Sequence, residues 1–179
     1  MSYIVGISGG SCSGKSTIAE RLGKILGEEY KTAVLHLDWY YKSPELRTVA
    51  PFTGIEYAEH NHPDCMDTDK IYKDIADASV NDIILIEGLF ALYFERLREQ
   101  LDLKVFIDLQ SDERIYRRIK RWSDHQTFDE IALRYLDTVR YRHDEFIEPT
   151  RWHADIIING TLDANLGTDI LASYIKARV

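Results

Sequence analysis

The sequence predicts an α/β fold in which a doubly wound parallel sheet lies between two layers of helices. Short runs rich in β-branched and aliphatic residues recur along the chain, and several lack polar alternation, as strands buried on both faces do. Amphipathic helical patterns fill the intervals, and strands that alternate with helices form parallel βαβ units. With 179 residues, the chain has the length of one domain, spanning 1–179.

Each predicted element is short and has its own pattern. The strands are Tyr3–Ile7, Thr32–Leu37, Ile83–Ile86, Leu103–Ile107 and Asp155–Ile158. The helices are Lys15–Leu26, Asp69–Ala78, Ser111–Trp122, Thr127–Phe146 and Leu166–Ala177, and the fourth of them opens with the capping-box pair Thr127 and Glu130. The segment Trp39–Pro63 has no clear periodicity but is rich in aromatic residues and proline, so we expect a functional loop there.

Composition restricts the function classes. The net charge of −8 argues against a protein that coats nucleic acid, because phosphate neutralisation needs a basic face. No apolar run approaches the ~20 residues of a membrane span, and the N-terminus enters the first strand without a signal-peptide pattern. Cys12 and Cys65 form neither a metal-type pair nor a disulfide framework. We therefore expect a soluble, cytoplasmic protein with a small-molecule substrate. The sequence does not decide whether the protein is a monomer or a homo-oligomer.

The strongest motif is a glycine-rich loop between the first strand and the first helix. It fits G-x-x-x-x-G-K-[ST] in full, and its glycines let the backbone N–H groups curl around phosphate oxygens at a helix start. This pattern predicts a P-loop NTPase-type fold that binds ATP, with Lys15 on the β- and γ-phosphates and the Ser16 hydroxyl on Mg²⁺. The predicted ATP-binding residues are Gly9, Gly10, Ser11, Cys12, Ser13, Gly14, Lys15, Ser16 and Thr17.

The loop alone does not separate a kinase from a GTPase or a motor ATPase. The sequence contains no Asn-Lys-x-Asp guanine-reading motif and no Ser-Gly-Gly-Gln transporter signature. The short chain and a cluster of arginines also favour a kinase. These arginines occupy a predicted lid at about 114–128, where planar guanidinium groups suit phosphate oxygens. A solvated helix face is the alternative, especially for Arg114 and Lys120.

Two acids follow predicted strands, at the sheet edge where ligands collect in open α/β folds. Asp38 could accept the proton of an attacking hydroxyl, or it could be an ordinary turn aspartate, and chemistry alone leaves both open. Glu87 ends an apolar strand in a Walker B-like arrangement and could hold Mg²⁺ or contact the substrate hydroxyl. The alternative is an exposed glutamate at a strand end.

Further motifs follow one another along nearly the whole chain: Gly6-Ile-Ser-Gly-Gly-Ser-Cys-Ser-Gly-Lys-Ser-Thr17, Asp38-Trp-Tyr-Tyr41, His62-Pro-Asp64 with Asp67, Ile86-Glu-Gly88 before Leu89–Tyr93, Arg117-Arg118 with Arg121, and Pro149-Thr150 before Ala154-Asp155-Ile-Ile157. Together they resemble the uridine kinase family, and nicotinamide riboside kinases share much of the pattern. The resemblance implies that Asp38 is the catalytic base and that Tyr41 lies near the nucleoside. It also implies that Arg118 and Arg121 belong to a lid that closes over the phosphates.

Three departures from the family pattern concern the substrate. Uridine kinases carry a base-gripping hairpin where this chain has only the short connection Ile75–Asp82. Their ribose-binding aspartate is replaced by Asn61, which can hydrogen-bond a diol without bringing charge. Further lid arginines are replaced by Gln126 and Phe128. The aromatic residues of Trp39–Pro63 could form a pocket for another ring, or they could pack the loop onto the domain.

The sequence thus predicts an ATP- and Mg²⁺-dependent kinase acting on a hydroxyl of a small substrate, with a nucleoside expected first. A kinase of another small alcohol, such as nicotinamide riboside, and a non-catalytic ATP-binding regulatory module are the alternatives. The predicted catalytic residues are Asp38, Lys15, Arg118 and Arg121. The predicted substrate-binding residues are Asp38, Tyr41, Asn61, Glu87 and Arg118, and the predicted metal ligands are Ser16 and Glu87.

Overall fold

The computed structural model describes residues 2–161 and 164–179. Its strands are β1 (Tyr3–Gly9), β2 (Thr32–His36), β3 (Arg47–Val49), β4 (Glu56–Ala58), β5 (Ile83–Glu87), β6 (Leu103–Asp108) and β7 (Ile156–Asn159). Its α-helices are α1 (Lys15–Gly27), α2 (Thr68–Asp77), α3 (Glu95–Arg98), α4 (Ser111–Trp122), α5 (Phe128–Arg134), α6 (Arg140–Arg142) and α7 (Ala164–Lys176). The predicted strands and helices therefore all form, with ends that shift by a few residues.

Five strands form one parallel sheet in the order β2-β5-β1-β6-β7. The central strand β1 pairs with β5 on one side and β6 on the other, so that Val5 lies between Leu85 and Leu103. The order reverses direction on either side of β1, which is the doubly wound topology that the alternating strands and helices predict. The carboxyl ends of β1, β2 and β5 consequently meet at one edge of the sheet.

The sheet is covered on both faces. Ile84 and Ile86 pack with α2 and the segment after β5 on one face, whereas Ile83 and Leu85 pack with α1 and α7 on the other. All four side chains are fully buried. This is why β5 reads as an unbroken apolar run rather than an alternating one. None of the helices within the described part of the chain is long and apolar enough to cross a lipid bilayer.

The predicted helix Thr127–Phe146 is helical throughout but irregular. Thr127 and Glu130 form the capping box, with the Thr127 hydroxyl accepting a bond from the Glu130 N–H. Two wider π-helical segments, Tyr135–Val139 and His143–Ile147, interrupt the α-helical geometry. π segments inside α-helices are frequent at functional sites.

The segment Trp39–Pro63, in which the sequence shows no periodicity, contains a short antiparallel hairpin formed by β3 and β4. Arg142 ties this hairpin to the irregular helix through an ion pair of 3.2 Å with the buried Glu59. The exposed Phe52 at the hairpin tip stacks on Tyr141, with ring centroids 5.4 Å apart. Long-range side-chain anchors, rather than strand propensity, therefore hold the hairpin in place.

Candidate active site

The phosphate loop curls tightly between β1 and α1. Gly14 has a φ of 99° and Cys12 a φ of 64°, both in the left-handed region. The glycine adopts this conformation without strain, whereas a side chain there is unusual and points to a constrained loop. Gly14 is also the N-cap residue of α1 and has no side chain with which to cap the helix. The first N–H groups of α1 are therefore presented to an anion, with the positive end of the helix dipole behind them.

A cavity of about 200 Å³ opens over this loop and is lined by Cys12, Gly14, Lys15, Ser16, Thr17 and Arg121, with Arg117 beside them. Lys15 is only 6% exposed. The Ser13 hydroxyl is buried and has no hydrogen-bond partner among the described residues. A buried cation and an unpaired hydroxyl around a glycine-rich turn are groups suited to bind phosphate oxygens.

Glu87 lies next to Ser16 of this cavity and is 2% exposed, so the alternative of an exposed strand-end glutamate is wrong. The Ser16 hydroxyl donates a hydrogen bond of 3.1 Å to Glu87 Oε2. His36 Nδ1 lies 2.7 Å from the other carboxylate oxygen, Oε1. The predicted metal ligands Ser16 and Glu87 are therefore adjacent, and His36, which sequence reasoning missed, fixes the carboxylate orientation.

This pair of oxygen ligands fits magnesium. Mg²⁺ prefers hard oxygen ligands and is usually held by one or two carboxylates together with substrate phosphates and waters. A hydroxyl and a carboxylate in contact at the edge of a phosphate cavity supply the protein part of such a set. His36 bonds the carboxylate oxygen that Ser16 does not contact, and side chains that hydrogen-bond a metal-binding carboxylate in this way orient it toward the metal.

A second cavity, of about 260 Å³, adjoins the first one, and Lys15 lines both. The residues Asp38, Tyr41, His60 and Asn61 form its wall on the side of β2 and the hairpin segment. Asp38 is exposed to this cavity and sits in a short turn of 3₁₀-helix, Leu37–Trp39, directly after β2. Asp38 and Lys15 of the phosphate loop therefore line the same cavity, as the position of Asp38 after a parallel strand predicts.

Tyr41 is positioned against Asp38. Its hydroxyl lies 3.2 Å from Asp38 Oδ1 and 3.4 Å from the His60 carbonyl oxygen, so its one proton is donated to either acceptor in turn. Burial and the Asp38 charge raise the Tyr41 pKa well above its ordinary value. The phenol therefore stays neutral and serves as a donor that orients the carboxylate.

The arginines of α4 occupy four different positions. Arg118 donates through Nη1 to the Ser11 hydroxyl at 3.2 Å, and burial lowers its pKa. Arg121 is exposed and lines the phosphate cavity. Arg117 donates to the Gly160 carbonyl oxygen at 2.7 Å. Arg114 is 4% exposed and donates through Nε to the Leu109 carbonyl oxygen, so the solvated-face interpretation is wrong for Arg114.

Two further residues that sequence reasoning missed line the second cavity. Trp122, at the end of α4, and Arg134, at the end of α5, both line it, and Arg134 contacts the hairpin segment through the Ala58 carbonyl oxygen. Neither belongs to a recognisable motif, and Arg134 lies outside the predicted lid. Only the folding of α5 against the hairpin brings Arg134 to the cavity, so no signal in the local sequence could have identified it.

Comparisons with known proteins identify the family of this chain. The sequence model of the phosphoribulokinase/uridine kinase family matches residues 66–166. A uridine kinase of Chlamydia pneumoniae is 34% identical over 97% of this chain and 88% of its own length. A uridine kinase of Staphylococcus aureus is 32% identical over 98% of this chain and 96% of its own length.

A solved structure shares the fold as well. The shikimate kinase of Bacteroides thetaiotaomicron superimposes with a TM-score of 0.54 and covers 98% of this chain and 96% of that one, at 16% identity. This likeness concerns the α/β fold alone. The near-complete alignment with curated relatives, together with the family match over more than half of the sequence, shows that the chain belongs to the phosphoribulokinase/uridine kinase family.

Proposed function

We propose that this protein is an ATP-dependent kinase that transfers the γ-phosphoryl group of ATP to a hydroxyl of a nucleoside. One observation carries the proposal: Asp38 lines the cavity that adjoins the phosphate loop, and Lys15 lines both cavities. A hydroxyl bound beside Asp38 would thus face the end of a polyphosphate bound on the loop. The relatives named as uridine kinases support a nucleoside as the acceptor.

Asp38 is the proposed catalytic base. The acceptor hydroxyl donates its hydrogen bond to the carboxylate, which orients the oxygen for in-line attack and takes the proton as the new O–P bond forms. Tyr41 holds the carboxylate through its 3.2 Å contact and lines the same cavity. Asn61 lines the same wall and can hydrogen-bond the sugar hydroxyls without adding charge.

The phosphates are bound by the loop and by cations. The N–H groups from Gly9 to Thr17 bind the polyphosphate, and Lys15 neutralises its terminal part. Arg118 and Arg121 stabilise the charge that spreads over the transferred group, and closure of the lid excludes water. Ser16 and Glu87 would hold Mg²⁺, which would neutralise charge on the phosphate oxygens.

The acceptor need not be uridine. Where uridine kinases have the base-gripping hairpin, this chain has the end of α2 and the short 3₁₀ turn Ala78–Val80. The base must therefore be recognised by other residues, and Tyr41 and His60 are candidates because both of these aromatic residues line the cavity. We propose the cytoplasm as the compartment, since Cys12 and Cys65 are free thiols.

A transfer assay against a panel of nucleosides and small alcohols tests the proposal. The panel contains uridine, cytidine, nicotinamide riboside and simple sugars, with ATP and Mg²⁺ as the donor. We expect phosphorylated product from at least one nucleoside, lost on chelation of the metal and lost in Lys15→Ala. Slow ATP hydrolysis without transfer to any acceptor would overturn the kinase assignment and favour a regulatory ATP-binding module.

A further inference from the structure

Arg134 occupies an irregular point of the helix that follows the lid. α5 ends at Arg134, and the π-helical segment Tyr135–Val139 begins at the next residue. The Thr138 hydroxyl donates to the Arg134 carbonyl oxygen at 2.9 Å, which supports the widened turn. The change in helical geometry alters the direction of the following side chains relative to a regular helix, and such changes are frequent at functional sites.

The Arg134 guanidinium is held but carries no countercharge. Its Nη2 donates to the Ala58 carbonyl oxygen at 2.8 Å, and the group lies 5.6 Å from the centre of the Tyr57 ring. Among residues 2–161 and 164–179, no carboxylate forms an ion pair with it. Asp137, on the same helical segment, instead accepts a hydrogen bond from the Thr53 hydroxyl. A partly buried cation therefore keeps donors available on the cavity wall.

The charges on the cavity wall are unbalanced. Three cations line it, Lys15, Arg118 and Arg134, against the single carboxylate of Asp38. Lys15 and Arg118 have a role in the proposed function, since the first lines the phosphate cavity and the second bonds Ser11 of the phosphate loop. Arg134 contacts the hairpin instead, on the wall where the acceptor would lie. In a protein of net charge −8, an arginine without an ion pair on the wall of this cavity favours an anionic ligand.

We propose that Arg134 binds a carboxylate on the phosphoryl acceptor, so that the enzyme selects a nucleoside whose base carries a carboxylate over its neutral counterpart. This inference rests on the proposed function. A carboxylate fits because its single charge matches one guanidinium, whose planar fork can bind both oxygens. A phosphate carries nearly two charges and would need a further cation.

A purely structural role would give a different result. If Arg134 serves only to bind the Ala58 carbonyl, its loss should weaken the hairpin and lower activity toward every acceptor equally. Arg142 provides the matched control, because it also anchors the hairpin, through Glu59 and Thr48, but does not line the cavity. The informative quantity is therefore the ratio of kcat/KM for an acidic acceptor to that for its neutral partner.

The experiment uses two pairs of acceptors that differ mainly in a carboxylate: orotidine with uridine, and nicotinic acid riboside with nicotinamide riboside. The wild type, Arg134→Gln and Arg142→Gln are compared with ATP and Mg²⁺. In at least one pair we expect the wild type to prefer the acidic member. Arg134→Gln should reduce that preference by about 10- to 100-fold, the range for one charge-assisted contact. Arg142→Gln should lower activity toward both members alike and keep the ratio.

An acid-to-neutral ratio that Arg134→Gln leaves within twofold of the wild type in both pairs would overturn the inference. So would a wild-type preference for the neutral member of both pairs. The same four compounds are also titrated for binding in the presence of ADP and Mg²⁺. If no compound is phosphorylated, the proposed function fails, while the ratio of dissociation constants still decides the role of Arg134.

Discussion

Replacing Asp38 by asparagine separates the chemistry from the architecture of this site. The substitution removes the proposed base and keeps the size and shape of the side chain. Asp38 is exposed and its side chain accepts a hydrogen bond from the Tyr41 hydroxyl, which the asparagine carbonyl can also accept. The variant should therefore fold normally and keep the phosphate loop intact.

The two expected magnitudes differ widely. An exposed side chain with one replaceable hydrogen bond should change the free energy of unfolding by about 0.5 kcal/mol or less. Loss of a general base slows the reaction by about 10²- to 10⁴-fold, which is roughly 3–5 kcal/mol of activation free energy. The effect on turnover should thus exceed the effect on stability by several kcal/mol.

Three measurements on the same protein sample test this prediction. Turnover is followed by ADP release with the best acceptor of the panel, ATP affinity by titration, and stability by urea unfolding. Asp64→Asn is the matched control, because Asp64 is an exposed acid of the same region that contacts His62 and does not line the cavity. The control should keep wild-type turnover.

Turnover of Asp38→Asn within tenfold of the wild type would show that Asp38 is not the base. A fall in turnover that is matched by equally weakened ATP binding would also contradict the mechanism, because the carboxylate contacts the acceptor side only. Unchanged stability with turnover lost is the pattern that the proposed geometry requires.

Three other predictions concern the lid, the metal and a buried histidine. Arg121→Ala should lower kcat by tenfold or more and change the ATP dissociation constant less, and equal effects on both would count against transition-state stabilisation by Arg121. Glu87→Gln should raise the Mg²⁺ concentration for half-maximal activity by roughly tenfold or more, measured by titration at fixed ATP, and an unchanged requirement would remove Glu87 as a ligand. Burial and then the charge of Arg114 lower the pKa of His143 to about 4, and together they outweigh the opposing charges of Asp144 and Asp108. The unfolded chain takes up this proton near pH 6.5, whereas the folded protein does not. The free energy of unfolding, measured with urea at pH 7 and pH 5, should therefore fall by roughly 1–2 kcal/mol more in the wild type than in His143→Gln. An equal fall in both proteins would refute the assignment.

The phosphate loop could be located from the sequence because its chemistry is local. Nine consecutive residues, from Gly9 to Thr17, provide both the turn and the start of α1, so their spacing alone predicts the site. Asp38 and Glu87 were predictable for a different reason. Each follows a buried strand, and parallel strands bring their carboxyl ends to one sheet edge wherever they lie in the chain.

Other parts of the site depend on contacts between distant residues. His36 and Glu87 are 51 positions apart, and Arg134 and Ala58 are 76 positions apart. Strand propensity also did not predict the β3–β4 hairpin. Each of its strands has only three residues, and Arg142 of the irregular helix anchors it. The burial of Arg114 was also not predictable from local sequence. A charged side chain is expected in solvent, but packing against Gly10 buries this one.

From its sequence, this protein was determined to be a phosphate-binding α/β domain of a kinase family, because strand periodicity and a contiguous glycine-rich motif are properties of neighbouring residues. Tertiary structure alone decided which side chains line the second cavity, and with them the charge that an acceptor meets. Helix α5 and the hairpin segment carry no shared motif, and only their packing brings Arg134 into the cavity that Asn61 also lines.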